Sequence, residues 1–154
     1  MKKALIIFAI FIMADIHAEP TRLITDSERQ QVYAIGKANG IPLSVTRQLM
    51  HEESRGYADA VSPMTPEGYC SRGLFQIYER PSNLNQLLSD HWKSKELFDV
   101  YDPLDNATVA MRYLSALHNR FGNWIHALYF YNHGSITGVS DDTRAYAYRI
   151  VNAR

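Results

Sequence analysis

Residues 42–55 have the sequence PLSVTRQLMHEESR. This stretch predicts an amphipathic helix that has Pro42 in its first turn and ends before Gly56. Successive residues of an α-helix are rotated by about 100°. The apolar side chains therefore cluster on one side: Leu43, Val45, Leu49 and Met50. Glu53 falls near the centre of this apolar arc, whereas Glu52 points about 100° away, toward its edge or solvent. The periodicity thus predicts that one of two adjacent carboxyl groups faces the core.

A carboxyl group that is desolvated in this way should have a raised pKa and could stay protonated near neutral pH. Such a group suits a general acid that acts on an ether-like oxygen, as in glycoside cleavage. A structural alternative is a buried Glu53 paired with Arg47, Arg55 or Arg72, and the helix geometry leaves both interpretations open. The long turn-rich segment at 57–80 favours the active-site interpretation, because long ordered loops are often functional.

Helical periodicity dominates the rest of the chain, with no long stretch of period two and at most a short strand or turn near residues 73–77. Five further helices are predicted. The first runs from the capping box at 25–28 to Asn39, the second is marked by Leu84, Leu87, Leu88 and Trp92, and the third has an apolar stripe at 107–121. The fourth runs from Trp124 to about Asn132, and the fifth is capped by Asp141, Asp142 or Thr143 and runs through Val151. The expected fold class is mainly α, or α+β at most, in a single domain of packed helices.

The composition of the chain excludes several classes of function. The chain has 154 residues, of which 46% are hydrophobic, enough for one domain. Lys+Arg and Asp+Glu both number 16, so no basic field favours nucleic acid. The one cysteine, Cys70, excludes an intramolecular disulfide and an all-cysteine zinc site, and we expect it to be a buried small side chain. The segment that begins with His51 has Arg55 where a zinc motif needs a second histidine, so no metal is predicted.

Residues 1–18 have the pattern of a secretory signal peptide cleaved after Ala18. Lys2 and Lys3 precede an apolar run at 4–14, which is about half the ~20 residues needed to span a bilayer. An uncleaved membrane anchor is the alternative. The sequence therefore predicts a periplasmic or secreted domain over residues 19–154, with its core at about 28–151.

Three short motifs occur in the order seen in one family. They are Glu53-Ser54, the segment GLFQ at 73–76 and the segment FYNHG at 130–134. With the helix start at 106–114, they resemble the lytic transglycosylases of the soluble-lytic-transglycosylase type, in the lysozyme-like superfamily. In that family the second segment usually has Met in place of Phe, and the third has Ala in place of Phe and His.

The resemblance implies cleavage of the β-1,4 bond between N-acetylmuramic acid and N-acetylglucosamine in peptidoglycan glycan strands. Glu53 would act as general acid and then as base, giving a 1,6-anhydro product without cofactor or metal. Ser62, Gln76, Tyr131 and Asn132 would bind substrate, in a groove of a lysozyme-like domain. Small exported enzymes of this type often accompany a secretion, conjugation or phage-entry apparatus.

Two alternatives stay open at this point. A goose-type lysozyme-like hydrolase would need a second carboxylate, for which Asp59 and Glu67 are candidates. A non-catalytic glycan-binding or structural component of an envelope-spanning machine would need no acid at all. The presence of Glu53 and of the Tyr131-Asn132 pair argues against that second alternative.

Overall fold

The computed structural model describes residues 19–78 and 99–153. The predicted signal peptide at 1–18 and the predicted helix marked by Leu84, Leu87, Leu88 and Trp92 lie outside these ranges. The described elements are α1 (Asp26–Ala38), α2 (Leu43–Ser54), β1 (Ser71–Arg72), β2 (Ile77–Tyr78), α3 (Pro103–Phe121), α4 (Trp124–His133) and α5 (Asp141–Val151). The strands β1 and β2 form a two-stranded antiparallel hairpin. The mainly α fold class is confirmed.

Local hydrogen bonds begin the helices close to the predicted positions. The Thr25 hydroxyl accepts from the Glu28 N–H, and the Glu28 side chain accepts from the Thr25 N–H, so the predicted capping box is confirmed. Two details differ. Pro42 stands just before α2 as its N-cap, and Ser140 caps α5 by accepting from the Thr143 N–H. Ser140 precedes two aspartates, so the predicted caps fall inside the first turn instead.

Helix α3 forms the centre of the described fold. It packs against α1 and α4, while α5 packs against α2 and α4. Its predicted apolar stripe is buried: Ala107, Ala110, Met111, Leu114 and Leu117. Helices α1 and α2 approach closely where Gly36 meets Thr46, since a side chain at Gly36 would collide with the threonine hydroxyl. None of the described helices is long and apolar enough to cross a membrane.

Asn106, which is fully buried in the first turns of α3, holds the β-hairpin in place. Its side-chain oxygen accepts from the Phe75 N–H at 2.8 Å, and its amide donates to the carbonyl oxygens of Val100 and Arg72 at 2.9 and 3.1 Å. Gly73 adopts a φ of 80° and lies so close to the amide that no side chain would fit. The hairpin turn at 73–76 is therefore attached directly to the central helix.

The extended segment before α1 runs along residues 56–59. Both the Thr21 and Arg22 N–H groups donate to the Asp59 carboxylate, at 2.8 and 3.0 Å. The Ile24 N–H donates to the Gly56 carbonyl at 3.0 Å. These bonds anchor the start of the domain to the segment that follows α2.

Replacing Asn106 by Ala should lower the free energy of unfolding by about 2 to 4 kcal/mol, because buried backbone groups lose their partners and a cavity remains. Chemical denaturation would measure the loss. Asn119→Ala removes an exposed amide from the same helix and is the matched control. Equal stability of the two variants would contradict the anchoring role of Asn106.

Candidate active site

The last turn of α2 places the Glu53 side chain in a groove of about 450 Å³. The hairpin contributes Ser71 and residues 76–78 to the groove, α3 contributes Val109, Ala110 and Tyr113, and α4 with its C-cap contributes residues 130–134. The helix, the hairpin and the α4 terminus thus bring three segments that are far apart in sequence around one carboxyl group.

Helix α5 supplies the partner of that carboxyl group. The hydroxyl of Tyr146, a buried residue, donates to Oε1 of Glu53. Burial and the Glu53 charge raise the pKa of Tyr146 well above its usual value, so its hydroxyl stays protonated as a donor. The hydrogen bond satisfies one oxygen of the Glu53 carboxyl group.

Glu52 diverges from Glu53, as the rotation about the helix axis predicts. Its carboxylate forms an ion pair with Arg149 of α5 at 2.8 Å and accepts from the Gln48 amide at 3.1 Å. These contacts leave 14% of the side chain exposed, so it lies at the edge of the helix interface. The hydrogen bond from Arg149 lowers the pKa of Glu52, and this residue remains a charged structural group.

Burial raises the pKa of Glu53 to about 7. The Tyr146 hydrogen bond acts in the opposite direction, and the nearby Glu52 carboxylate raises the pKa further. Within the described residues Glu53 forms no ion pair with an arginine. The geometry therefore gives the carboxyl group the surroundings of a proton donor rather than those of a structural ion pair.

Three of the predicted binding residues line the groove with Glu53. The Tyr131 hydroxyl donates to the Phe75 carbonyl at 2.8 Å and ties α4 to the hairpin turn. The Gln76 amide donates to the carbonyls of Ala60 and Gly73, at a backbone φ of 49°. Asn132 accepts from the Thr143 hydroxyl at 2.9 Å. Among the described residues, the side-chain oxygen of Gln76 and the amide of Asn132 have no protein partner and are available to a ligand.

Ser62, the fourth predicted binding residue, is not part of the groove wall. Its hydroxyl accepts from the Ser71 N–H at 2.8 Å and donates to the Pro63 carbonyl. Because Ser71 does line the groove, Ser62 shapes the wall through the backbone of the loop. Cys70 is buried nearby and accepts from the Arg72 guanidinium, in agreement with its predicted burial.

Neither candidate for a second carboxylate reaches the groove. Burial tends to raise the pKa of Asp59, but hydrogen bonds from Thr21 and Arg22 outweigh it, so the pKa is lowered and the group is fully engaged. Glu67 is exposed in the loop turn. Of the described residues that line the groove, only Glu53 carries a carboxyl group. The described ranges also contain no cluster of three or more side chains that could hold a metal ion.

Sequence reasoning missed Tyr146. The available signal was the spacing of Thr143, Tyr146, Ala147 and Ile150, which places all four on the buried face of α5. That spacing identifies a core tyrosine but not its partner, which is 93 positions away. Only the packing of α5 against α2 shows that this tyrosine meets the acid.

Comparisons with known proteins identify the family and the fold of the chain. The family described as "Transglycosylase SLT domain" matches residues 31–150. Among solved structures, an inactive mutant of lytic transglycosylase Slt from Pseudomonas aeruginosa has a similar fold, with a TM-score of 0.62 and 20% identity. The match covers 80% of this chain and only 22% of that larger protein, and at this identity it establishes the fold alone. No curated protein is similar enough to count as a relative.

Replacing Tyr146 by Phe should raise the pKa of Glu53 above about 7, because the lost hydrogen bond favours the ionised carboxylate. A carbon-13 NMR titration of labelled glutamate carboxyl groups would measure the change. Tyr148→Phe alters an exposed tyrosine on the same helix and serves as the control. A lowered or unchanged Glu53 pKa in the Tyr146 variant would show that the Tyr146 hydroxyl does not stabilise the Glu53 carboxylate.

The raised pKa of Glu53 also predicts a pH-dependent stability. The unfolded carboxyl group loses its proton near pH 4.5 and the folded one near pH 7, so ionisation destabilises the fold progressively across that interval. Glu53→Gln removes this cost. The variant should exceed the wild type in unfolding free energy by about 1 to 3 kcal/mol at pH 8, and match it at pH 4.

Urea denaturation at both pH values would test this difference. Glu52→Gln is the matched control, because the lowered pKa of Glu52 makes its charge stabilising above its unfolded pKa. That variant should gain nothing at pH 8. A Glu53→Gln variant that is less stable than the wild type at pH 8 would show that the buried carboxylate is well solvated or paired.

Proposed function

The chain belongs to the transglycosylase SLT domain family, and from this membership we propose that it is a peptidoglycan lytic transglycosylase with Glu53 as its acid and base. The observation that carries the proposal is a single carboxyl group, with its pKa raised to about 7, in a groove whose other described wall residues bear no carboxylate. Such a group has comparable populations of its protonated and ionised forms at neutral pH, as a residue that first gives and then takes a proton requires.

In the first step, protonated Glu53 delivers its proton to the glycosidic oxygen between N-acetylmuramic acid and N-acetylglucosamine. The bond to the anomeric carbon breaks, and the acetamido group of the substrate stabilises the positive charge that develops there. The Tyr146 hydroxyl, already hydrogen-bonded to the carboxyl group, stabilises the carboxylate that remains. Gln76, Tyr131 and Asn132 hold the sugar against the groove wall, while Ser62 acts through the loop.

In the second step, the Glu53 carboxylate takes the proton of the muramoyl C6 hydroxyl as this oxygen attacks the anomeric carbon. The product has a 1,6-anhydro ring, and no water is consumed. An intramolecular hydroxyl held in line has a large effective concentration relative to solvent. Asp59 is engaged by Thr21 and Arg22 and does not line the groove, which speaks against a hydrolase that orients water with a second carboxylate.

The substrate fixes where such an enzyme works. Peptidoglycan lies outside the cytoplasmic membrane, and residues 1–18 have the charge and apolar pattern of a signal peptide. We therefore place the mature domain, from Glu19 onward, in the periplasm or outside the cell. A role beside a secretion, conjugation or phage-entry apparatus is consistent with a small exported enzyme of this kind.

Glu53→Gln should reduce the release of muropeptides from purified sacculi by roughly 10²- to 10⁴-fold, because the amide keeps the shape but delivers no proton. Glu52→Gln should retain most of the activity, since Glu52 faces Arg149 and Gln48 rather than the groove. Chromatographic quantification of released muropeptides would measure both. An active Glu53→Gln with an inactive Glu52→Gln would reverse the assignment.

The products should end in 1,6-anhydro rings and lack reducing ends. Mass spectrometry of the digest distinguishes them, because each anhydro product is lighter than the hydrolysis product by one water. Glu67→Gln and Asp59→Asn should leave the product unchanged, although Asp59→Asn also weakens the attachment of the N-terminal segment. Reducing ends whose formation collapses in either variant would identify a lysozyme-like hydrolase.

A further inference from the structure

A second recess lies between α1 and α2, with a volume of about 380 Å³. Its wall includes Arg29 on α1, Arg47 and His51 on α2, and Arg55 at the C-cap of α2. His51 lies about 200° around the helix from Glu53, and the recess shares no described wall residue with the catalytic groove, so this basic recess opens on the face opposite that groove. Among the described residues that line the basic recess there is no carboxylate.

The charges of the basic recess are weakly compensated within the described chain. Arg29 pairs with Asp26 at 3.7 Å, and that aspartate side chain is fully exposed, so the pair contributes little. His51 and Arg55 form no ion pair in the described ranges. Arg47 has an interaction of its own, so the proposal depends on the positive charges of Arg29 and Arg55.

The backbone holds these side chains in a defined arrangement. Arg55 follows His51 by four residues and caps α2 with a φ of 57°, and its N–H donates to the His51 carbonyl. Guanidinium groups bind carboxylates through two parallel hydrogen bonds, which suits a recess with an arginine on each of its two helices. The geometry therefore matches a compact carboxylate-bearing group.

We propose that the basic recess is a second binding site, which holds carboxylate groups of the peptide stems that peptidoglycan carries. This inference rests on the proposed function. With the glycan strand in the catalytic groove, the opposite face of α2 holds a peptide of a neighbouring strand, and the enzyme stays on its insoluble substrate between cleavages. A membrane surface fits less well, because Leu43 is the only exposed large apolar side chain of the described α1 and α2.

Binding to purified sacculi tests the site, with Glu53→Gln as the background so that the substrate stays intact. Adding Arg29→Gln and Arg55→Gln should weaken binding about tenfold in a sedimentation assay, the loss expected for charge-assisted hydrogen bonds. Arg112→Gln with Arg144→Gln removes two charges from exposed positions elsewhere and should leave binding unchanged. Thermal melts of both double variants establish that each is folded.

Two further measurements identify the ligand. Free stem peptide, added as a competitor, should lower the binding of the Glu53→Gln protein to intact sacculi to the level of the Arg29/Arg55 variant. Vesicles of phosphatidylglycerol should bind neither protein. Full binding in the presence of the competitor, unchanged binding of the Arg29/Arg55 variant, or arginine-dependent binding to vesicles alone would each overturn the proposal.

The proposal and the enzymatic function fail separately. With Glu53 intact, the Arg29/Arg55 variant should cleave soluble, peptide-free glycan chains with the kcat of the wild type and show a raised KM only on sacculi. If the wild type is inactive but still requires Arg29 and Arg55 to bind sacculi, the enzymatic function is refuted and the binding site in the basic recess is supported. If the wild type is active but binds sacculi equally well without both arginines, the enzymatic function is supported and the binding site is refuted.

Discussion

The hydrogen bond from Tyr146 to Glu53 is the interaction on which the site depends. A carboxyl group removed from water is costly unless it is protonated or has a donor, and this one has both a raised pKa and a tyrosine hydroxyl. The bond joins the end of α2 to the buried face of α5. The same contact therefore packs two helices together, orients an acid and limits how far its pKa rises.

The adjacent carboxyl groups of Glu52 and Glu53 differ in pKa because α5 gives each of them a different partner. Arg149 pairs with Glu52 and keeps it ionised, whereas Tyr146, one turn earlier on the same helix, donates a neutral hydrogen bond to Glu53. Glu52 in turn raises the pKa of its neighbour through its charge. A structural ion pair beside the groove thus helps to keep the acid protonated near neutral pH.

Among the described residues, the fold brings one carboxyl group, that of Glu53, to the groove. Asn106 fixes the hairpin turn to α3, and Tyr131 ties the end of α4 to the same turn, so the groove wall is held at two points. Asp59 is bound to the segment before α1. Asp59, the nearest candidate for a second carboxylate in the sequence, thus anchors the chain and does not line the groove.

Local patterns in the sequence determined the ends of α1, α2, α4 and α5 to within about one residue, the buried stripe of α3 and the direction of Glu53, because periodicity and capping depend on neighbours within one or two turns. The start of α3 at Pro103 lies ahead of the predicted stripe. The motifs also determined the family. The tertiary structure alone decided that Tyr146 and Arg149 meet Glu53 and Glu52, that Asp59 holds the N-terminal segment and that Ser62 bonds within its loop outside the groove wall. Each of these contacts except that of Ser62 joins segments tens of residues apart. The periodicity of a helix predicts the direction in which a side chain points from the helix axis. The residue that this side chain contacts depends on how the helices pack against one another.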